Sequence, residues 1–469
     1  MATSKKYFFS IILSLISVSV SLFCLFDGGN FYFYCALISF FCFFFNLYFN
    51  LNNIFFFFRT FIIGLIGYYP IFVKMIAGPD AFFSLYEFST QGMDIVMIMY
   101  VGTSLALLGS EVGFFLSASK SYACINNTEI NISNPMLWKT VFFISIPIVL
   151  LVSYLTVISA GPSVLTAAYA SAVGEPQLLG NTQNIGIICL LAAYVSSVKL
   201  NLSYRHFVLV GLILIFLVWA MFLHGLRQDV VTALFGLAVC KGLLDHNALG
   251  LSFGRITLIF LIVIVVELMG VARSTLALEG FNLIDLFNIV SETLFEKNAY
   301  HFGTVSPITT TFANTVSLID TNQVSLLWGK SYAEFIPRTP PEFIYPNRPQ
   351  DYAWIFSKYE LMAAGGFFEL AEAYLNFGLF GCLVMPGLLS FLMGQFYFNA
   401  LHRQTLFSYM LLFTFLGIFL RGTWYQVFAF YKSFLTAMIL YIFFLFAYQF
   451  VFSRLRVDLF FLKLNTSKA

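Results

Sequence analysis

Five arginines are the first residues in this chain whose type and surroundings could do chemistry. Arg227 lies in His224-Gly-Leu-Arg-Gln-Asp229, Arg338 in Ile336-Pro-Arg-Thr-Pro-Pro341 and Arg421 in Phe419-Leu-Arg-Gly-Thr-Trp-Tyr-Gln426. Arg273 closes an apolar run, and Arg348 sits in Pro346-Asn-Arg-Pro349. A guanidinium keeps its charge beside a low-dielectric wall, and its planar fork matches the oxygens of a phosphate or pyrophosphate. One such arginine is equally well explained by snorkelling to an interface or by pairing with an acid such as Asp229. Several on the outer face of a membrane, where arginine is disfavoured, point instead to a shared anionic ligand.

The second group is acidic and lies in Gly366-Phe-Phe-Glu-Leu-Ala-Glu-Ala-Tyr-Leu-Asn-Phe-Gly-Leu-Phe-Gly381. On a helix, Glu369, Glu372 and Asn376 fall within about 60° of one another, with Leu370, Tyr374 and Phe377 on the opposite side. Two accounts fit this stripe: an interfacial helix whose acids face water, or a general base with an asparagine that positions its partner. Glu267 and Glu111 lie inside apolar runs, where an acid is a functional candidate by default. The five histidines and seven cysteines show no metal-ligand or C-x-x-C spacing, so neither a metal nor a disulfide framework is expected. No phosphate-binding glycine loop or basic cluster is present, which argues against a nucleotide cofactor and against nucleic acid.

The elements that must position these residues are membrane spans. Of 469 residues, 60% are hydrophobic and only 10% charged, against about 25% charged in a soluble domain. That composition fits an all-α polytopic membrane protein. With roughly 20 apolar residues per span, twelve are expected: 7–25, 31–49, 54–76, 95–116, 138–158, 185–198, 207–223, 229–243, 256–271, 366–397, 406–420 and 433–452. The first run is too long for a signal-peptide core and no cleavage site follows it, so it reads as a span. The tenth is long enough to begin with an interfacial helix. The one long polar passage, 272–365, carries nine of the 22 acids and six of the 13 prolines. Residues 1–271, 272–365 and 366–469 are thus an N-terminal membrane region, a large loop and a C-terminal membrane region.

The positive-inside rule orients them. With the N-terminus in the cytoplasm, the inward parts collect Lys5, Lys6, Arg59, Lys120, Lys139, Lys199, Arg205, Lys241, Arg255, Arg403, Arg454, Arg456, Lys463 and Lys468. The short outward parts hold Lys74, Arg227, Arg421 and Lys432. Fourteen against four, alternating loop after loop, puts both termini inside and the 272–365 loop outside.

In these stretches the chain resembles the Wzy family, the O-antigen (oligosaccharide repeat unit) polymerases of the bacterial inner membrane. The likeness rests on Gly225-Leu-Arg-Gln-Asp229, Ile336-Pro-Arg-Thr-Pro-Pro341, the Gly366–Gly381 block and Leu420-Arg-Gly422. The large outward loop before the last spans fits as well. The resemblance implies a multi-pass glycosyltransferase that moves a growing glycan from undecaprenyl pyrophosphate onto an incoming lipid-linked repeat unit. It would act on the periplasmic face, beside a flippase and a Wzz-type chain-length regulator and without a cofactor. It further implies that Arg227, Arg338 and Arg421, with Arg273 and Arg348, hold the pyrophosphates. Glu372 would deprotonate the acceptor hydroxyl, and Tyr374 and Asn376 would position it. Glu369, Asp229 and Glu267 remain alternative bases. An O-antigen ligase shares the donor and the outward arginines. A flippase or transporter would instead line the middle of its spans with charge and break its helices. A scaffold protein leaves the arginines unexplained.

Overall fold

The computed structural model describes residues 2–28, 31–51, 53–77, 92–124, 135–160, 182–202, 227–244, 305–340, 344–349, 367–424 and 426–466, with Tyr352, Ile355, Lys358 and Tyr359. Among these residues the chain is helix and turn, with no strand. Lipid offers backbone polar groups no partner, so an apolar run satisfies them internally as a helix. In chain order the long helices are α1 (Ala2–Phe26), α2 (Tyr32–Asn50), α3 (Ile54–Ala77), α4 (Gly92–Cys124), α5 (Pro135–Ala160), α6 (Thr182–Lys199) and α7 (Arg227–Leu244). Then follow α8 (Val305–Asp320), the single turns α9 (Lys330–Ala333) and α10 (Phe335–Arg338), α11 (Glu369–Arg403), α12 (Leu406–Leu416), α13 (Phe419–Trp424) and α14 (Phe428–Thr466).

Among the described residues six stretches are long and apolar enough to cross a membrane: Phe8–Phe26, Tyr32–Asn50, Asp94–Ser119, Pro135–Tyr154, Glu369–Arg403 and Phe428–Val451. The expected spans at 54–76, 185–198, 229–243 and 406–420 are also helical, over shorter apolar lengths. Those at 207–223 and 256–271 lie outside the described residues. Over its described residues the protein is all-helical, with the apolar helices of a membrane protein.

Its contacts divide it into two units. The first comprises Met1–Asn126, Asn247–Phe398 and Phe419–Tyr431. Here α1 turns a stripe of serines inward: Ser10, Ser14, Ser17 and Ser21 are all buried. Ser10 donates to Asn46 Oδ1 at 3.0 Å, Asn46 donates to Ser14 at 2.8 Å, and Ser17 meets Ser39, Tyr68 and Ser104 at 3.0–3.2 Å. Glu111 on α4 is fully buried and accepts from Asn50 Nδ2 at 2.8 Å and Thr60 Oγ1 at 3.0 Å. Ser10, Ser14, Ser17 and one Glu111 oxygen are thus matched across helices, while Ser21 donates to the Val18 carbonyl of its own helix at 2.9 Å, in keeping with the need of buried polar atoms for partners.

Two features of this unit differ from the sequence-based expectation. Part of the polar passage is a helix, α8, packed on α3 and α4, with Thr309 donating to the Ile66 carbonyl at 2.9 Å. The hydroxyls that make it read as polar are absorbed by its own backbone, Thr311 onto Ile308 and Thr315 onto Thr311. The second feature is the shape of α11. A straight helix would separate Glu369 from Ser390 by about 31 Å. Instead the Arg59 guanidinium touches both, Glu369 through two nitrogens and Ser390 Oγ at 3.4 Å. The chain reverses at Gly378, whose φ of 62° and ψ of −147° lie outside the helical region. Residues 369–377 therefore form a half-helix that runs back along 379–390.

The longer arm of α11 packs on α4 at very close range. A β-carbon on Gly109 would lie 2.0 Å from the Leu383 carbonyl oxygen, and one on Gly113 2.3 Å from that of Gly387. Gly394 meets Ser117 in the same seam. Small residues let two backbones approach this closely, and dispersion and lipid release then hold them together.

The second unit comprises Asn127–His246, Asn399–Ile418 and Lys432–Ala469. In it α6 lies between α5 and α7, and α12 packs on α6 and α7. Trp138 meets Tyr409 edge-on at 6.0 Å, and Asn184 Oδ1 accepts from Ser433 at 3.3 Å. Thr405 and Ser408 form a capping box at the start of α12, which satisfies donors that the helix cannot reach itself.

Candidate functional site

The half-helix 369–377 is the centre of the site in the first unit. The last carbonyls of a helix have no partner within it. Those of Leu375 and Asn376 accept, at 3.0 Å each, from the backbone N–H groups of Leu327 and Trp328. The loop reaches them through left-handed conformations at Trp328 (φ 51°) and Gly329 (φ 88°). At Gly329 a β-carbon would press on Phe377 at 3.1 Å, so glycine serves both the φ and the approach. This docking brings α9 against the polar stripe.

Ser331 on α9 then joins the stripe together. Its hydroxyl donates to Glu372 Oε1 at 2.8 Å and accepts from Asn376 Nδ2 at 2.7 Å. Asn376 Nδ2 also donates to the Glu372 carbonyl at 2.8 Å. A backbone carbonyl can only accept, so the amide orientation is fixed and Oδ1 is the free end. Among the described residues that oxygen is buried without a partner, and so is the hydroxyl of the neighbouring Tyr332. Burial holds the Tyr332 proton on well above the ordinary tyrosine range, and the Glu372 and Glu369 carboxylates add to it. One acceptor and one donor, both left over beside a carboxylate, are what a hydroxyl-bearing ligand can use.

Glu369 is occupied otherwise. Both of its oxygens are taken by Arg59, and both residues are fully buried. Arg59 also donates to Thr423 Oγ1 at 3.1 Å. The pair ties the deep end of the half-helix to α3, α13 and the long arm of α11. One of the two accounts of the stripe is excluded here, and one expectation is corrected. The acids of the stripe do not face water, since Glu369 is 0% and Glu372 6% exposed. Arg59 is an internal counter-ion and not a cytoplasmic flank charge, which leaves the inside count at thirteen against four and its sign unchanged.

The arginines are distributed as follows. Arg338 ends α10, buried, with its guanidinium 4.8 Å from the centre of the Phe428 ring, a cation–π contact. Phe335, one turn earlier, lies tilted against the same ring, with the centroids 5.1 Å apart. Arg348 is half-buried and donates to the Pro340 carbonyl at 3.4 Å. Arg421 is half-buried on α13, which also carries the Thr423 partner of Arg59. Arg227 is the first residue of α7, in the second unit, and its side chain is outside the described part. Arg273 and Glu267 also fall outside the described residues. Asp229 is buried in the first turn of α7.

No family model, curated protein or solved structure matches the chain. Glu372, Asn376, Ser331 and Tyr332 are brought together, whereas Tyr374 turns its ring to Phe312 on α8, 6.1 Å away. Sequence reasoning missed Arg59, Ser331 and Tyr332. For Ser331 and Tyr332 the signal was present: they lie in the motif-bearing passage, just before Arg338. For Arg59 there was none, because its partner is 310 positions away. Among the described residues no cluster of metal-ligating side chains occurs.

Proposed function

We propose that the protein is a Wzy-type polymerase of the bacterial inner membrane that joins undecaprenyl-pyrophosphate-linked oligosaccharide units on the periplasmic face. The observation that carries this reading is the buried Ser331–Glu372–Asn376 cluster in a unit that also holds Arg338 and Arg421. Glu372 takes the proton of the acceptor hydroxyl, and that oxygen attacks the anomeric carbon of the donor with inversion. The bond to pyrophosphate breaks, and undecaprenyl pyrophosphate leaves with its charge held by guanidinium groups. Arg421 and Arg338, with Arg273 and Arg348, are the residues assigned to that anion. Asn376 and Ser331 hold the carboxylate in place, and a Wzz-type regulator sets chain length.

One observation favours a second reading. A helix broken at Gly378 and an ion pair buried among spans are what a lipid-linked oligosaccharide flippase or transporter would use. A ligase shares the polymerase's donor chemistry. Deletion of the gene in its host separates the three by the surface polysaccharide on a gel. Single repeat units on the lipid core support the polymerase, free lipid-linked polymer the ligase, and no surface units the flippase.

A further inference from the structure

Residues 328–340 hold polar side chains inside and show apolar ones outside. Along α9 and α10, Ser331, Phe335 and Arg338 recur at i, i+4 and i+7 and are buried. Ser331 serves Glu372 and Asn376, and Arg338 lies over Phe428. The outer side shows Trp328, 76% exposed, and Ile336, 69% exposed. Arg348 holds the Pro340 carbonyl at 3.4 Å and so folds the next turn back, where Ile344 and Tyr345 are exposed too. A loop in water has the reverse arrangement, with its isoleucine packed away and its arginine solvated. A buried serine and arginine beneath an exposed tryptophan and isoleucine mark a segment whose outer side meets an apolar medium.

Two contacts set the depth of this segment. At one end, the N–H groups of Leu327 and Trp328 hold the carbonyls of Leu375 and Asn376 at 3.0 Å each, at the tip of the half-helix beside Gly378. From that reversal the long arm, 379–403, rises about 37 Å, more than the ~30 Å of a hydrocarbon core. Gly378 therefore stands at a membrane surface. Phe380, Val384 and Leu388, at i, i+4 and i+8 of the arm, are exposed, as a lipid-facing stripe is. At the other end, the Phe335 ring centroid lies 5.1 Å from that of Phe428 and 6.1 Å from that of Tyr431, both in the first turn of α14. Phe428 also opens the apolar stretch Phe428–Val451. Both ends of the segment are tied to the ends of spans, so it lies along the membrane surface.

We infer that residues 328–340 are an interfacial segment, seated at the headgroup–acyl boundary of the leaflet at the Gly378 end, with Trp328 and Ile336 against lipid. Tryptophan favours that depth, and the buried side of the same turns keeps Ser331 on Glu372. The seating follows from the helices and their exposure and does not depend on the reaction at Glu372. The test uses full-length protein in phosphatidylcholine nanodiscs whose scaffold lacks tryptophan, with bromine on the acyl chains either next to the headgroup or at the chain end. Of the emission from five tryptophans, the part missing from Trp328→Phe is that of Trp328. Bromine next to the headgroup should remove most of that part, chain-end bromine much less, and iodide in the water should leave most of it. In Ile336→Trp the added emission should be quenched in the same order. Both side chains are mostly exposed, so neither substitution disturbs folding, which a thermal melt checks. Trp328 emission that iodide quenches and bromolipid does not would overturn the seating and leave the ring open to a glycan or a protein partner. Added emission at position 336 that only iodide quenches would overturn it for α10.

Discussion

Replacing Arg59 by methionine tests the clamp under the half-helix. The guanidinium is fully buried, fills both oxygens of an equally buried Glu369 and donates to Thr423 and Ser390. Its removal strands a carboxylate in the protein interior with no countercharge. Breaking a buried pair from one side costs about 3–5 kcal/mol, and Glu369→Leu should cost about the same. The paired replacement Arg59→Met with Glu369→Leu leaves no buried charge, so it should return to within about 1 kcal/mol of wild type. The double-mutant cycle then gives a coupling of about 5 kcal/mol or more. Unfolding free energies in mixed micelles, by steric trapping or reversible denaturation, measure all four proteins. If the single variants each lose less than about 1 kcal/mol, or if the losses simply add, the pair does not hold the half-helix and the account of its position is wrong.

Other outcomes follow from the same geometry. Glu372→Gln should lower polymerisation by about 10²–10⁴-fold, the usual weight of a general base, with folded yield unchanged; normal polysaccharide ladders would move the base elsewhere. Tyr332→Phe removes an unpartnered buried hydroxyl and should be neutral or stabilising at pH 7. Because the folded-state pKa of Tyr332 is raised above the ordinary 10.0, its neutral form contributes stability below about pH 10 that is lost as pH rises towards the folded value. Melts of Tyr332→Phe should therefore fall off less steeply in alkali than those of wild type. Gly381→Ala places a β-carbon 2.0 Å from the Ala373 carbonyl oxygen and should abolish folded protein, whereas Gly28→Ala, at φ +68° in open space, should cost about 1 kcal/mol. A topology reporter within 320–350 should read periplasmic in cells, and a cytoplasmic signal would reverse the orientation.

Much of the helix pattern was legible because lipid imposes a simple rule: long apolar runs such as Phe8–Phe26 and Pro135–Tyr154 have no other way to satisfy their backbones. The stripe of Glu369, Glu372 and Asn376 was legible as a stripe, since helical spacing alone aligns it. Its burial was not, because that depends on Arg59 and Ser331, which the sequence holds far apart from it. The reversal at Gly378 was hidden for a related reason. Asn376-Phe-Gly-Leu-Phe-Gly381 is apolar on both sides of the turn, so hydropathy runs straight through it; the unusual length of the 366–397 run was its only trace. Helix α8 was hidden by composition, its threonines counting as polar although they bond to helix carbonyls. Its Ile308, Phe312 and Val316, spaced four apart and buried, were the periodic signal that outranked them.

The distance in sequence between Arg59 and Glu369 also has a consequence in time. At about 5–20 residues per second of synthesis, the 310 positions between them take ~15–60 s to make. Throughout that interval α3 carries an arginine whose counter-ion does not yet exist, about one and a half turns inside an apolar helix. The nascent chain has to wait in a state where Arg59 is hydrated or held towards the membrane surface, and α3 can settle only when the half-helix arrives. The last third of the chain therefore decides when the first third finishes folding. A ribosome stalled before Glu369 should leave Arg59 accessible to water, and release past it should close that access.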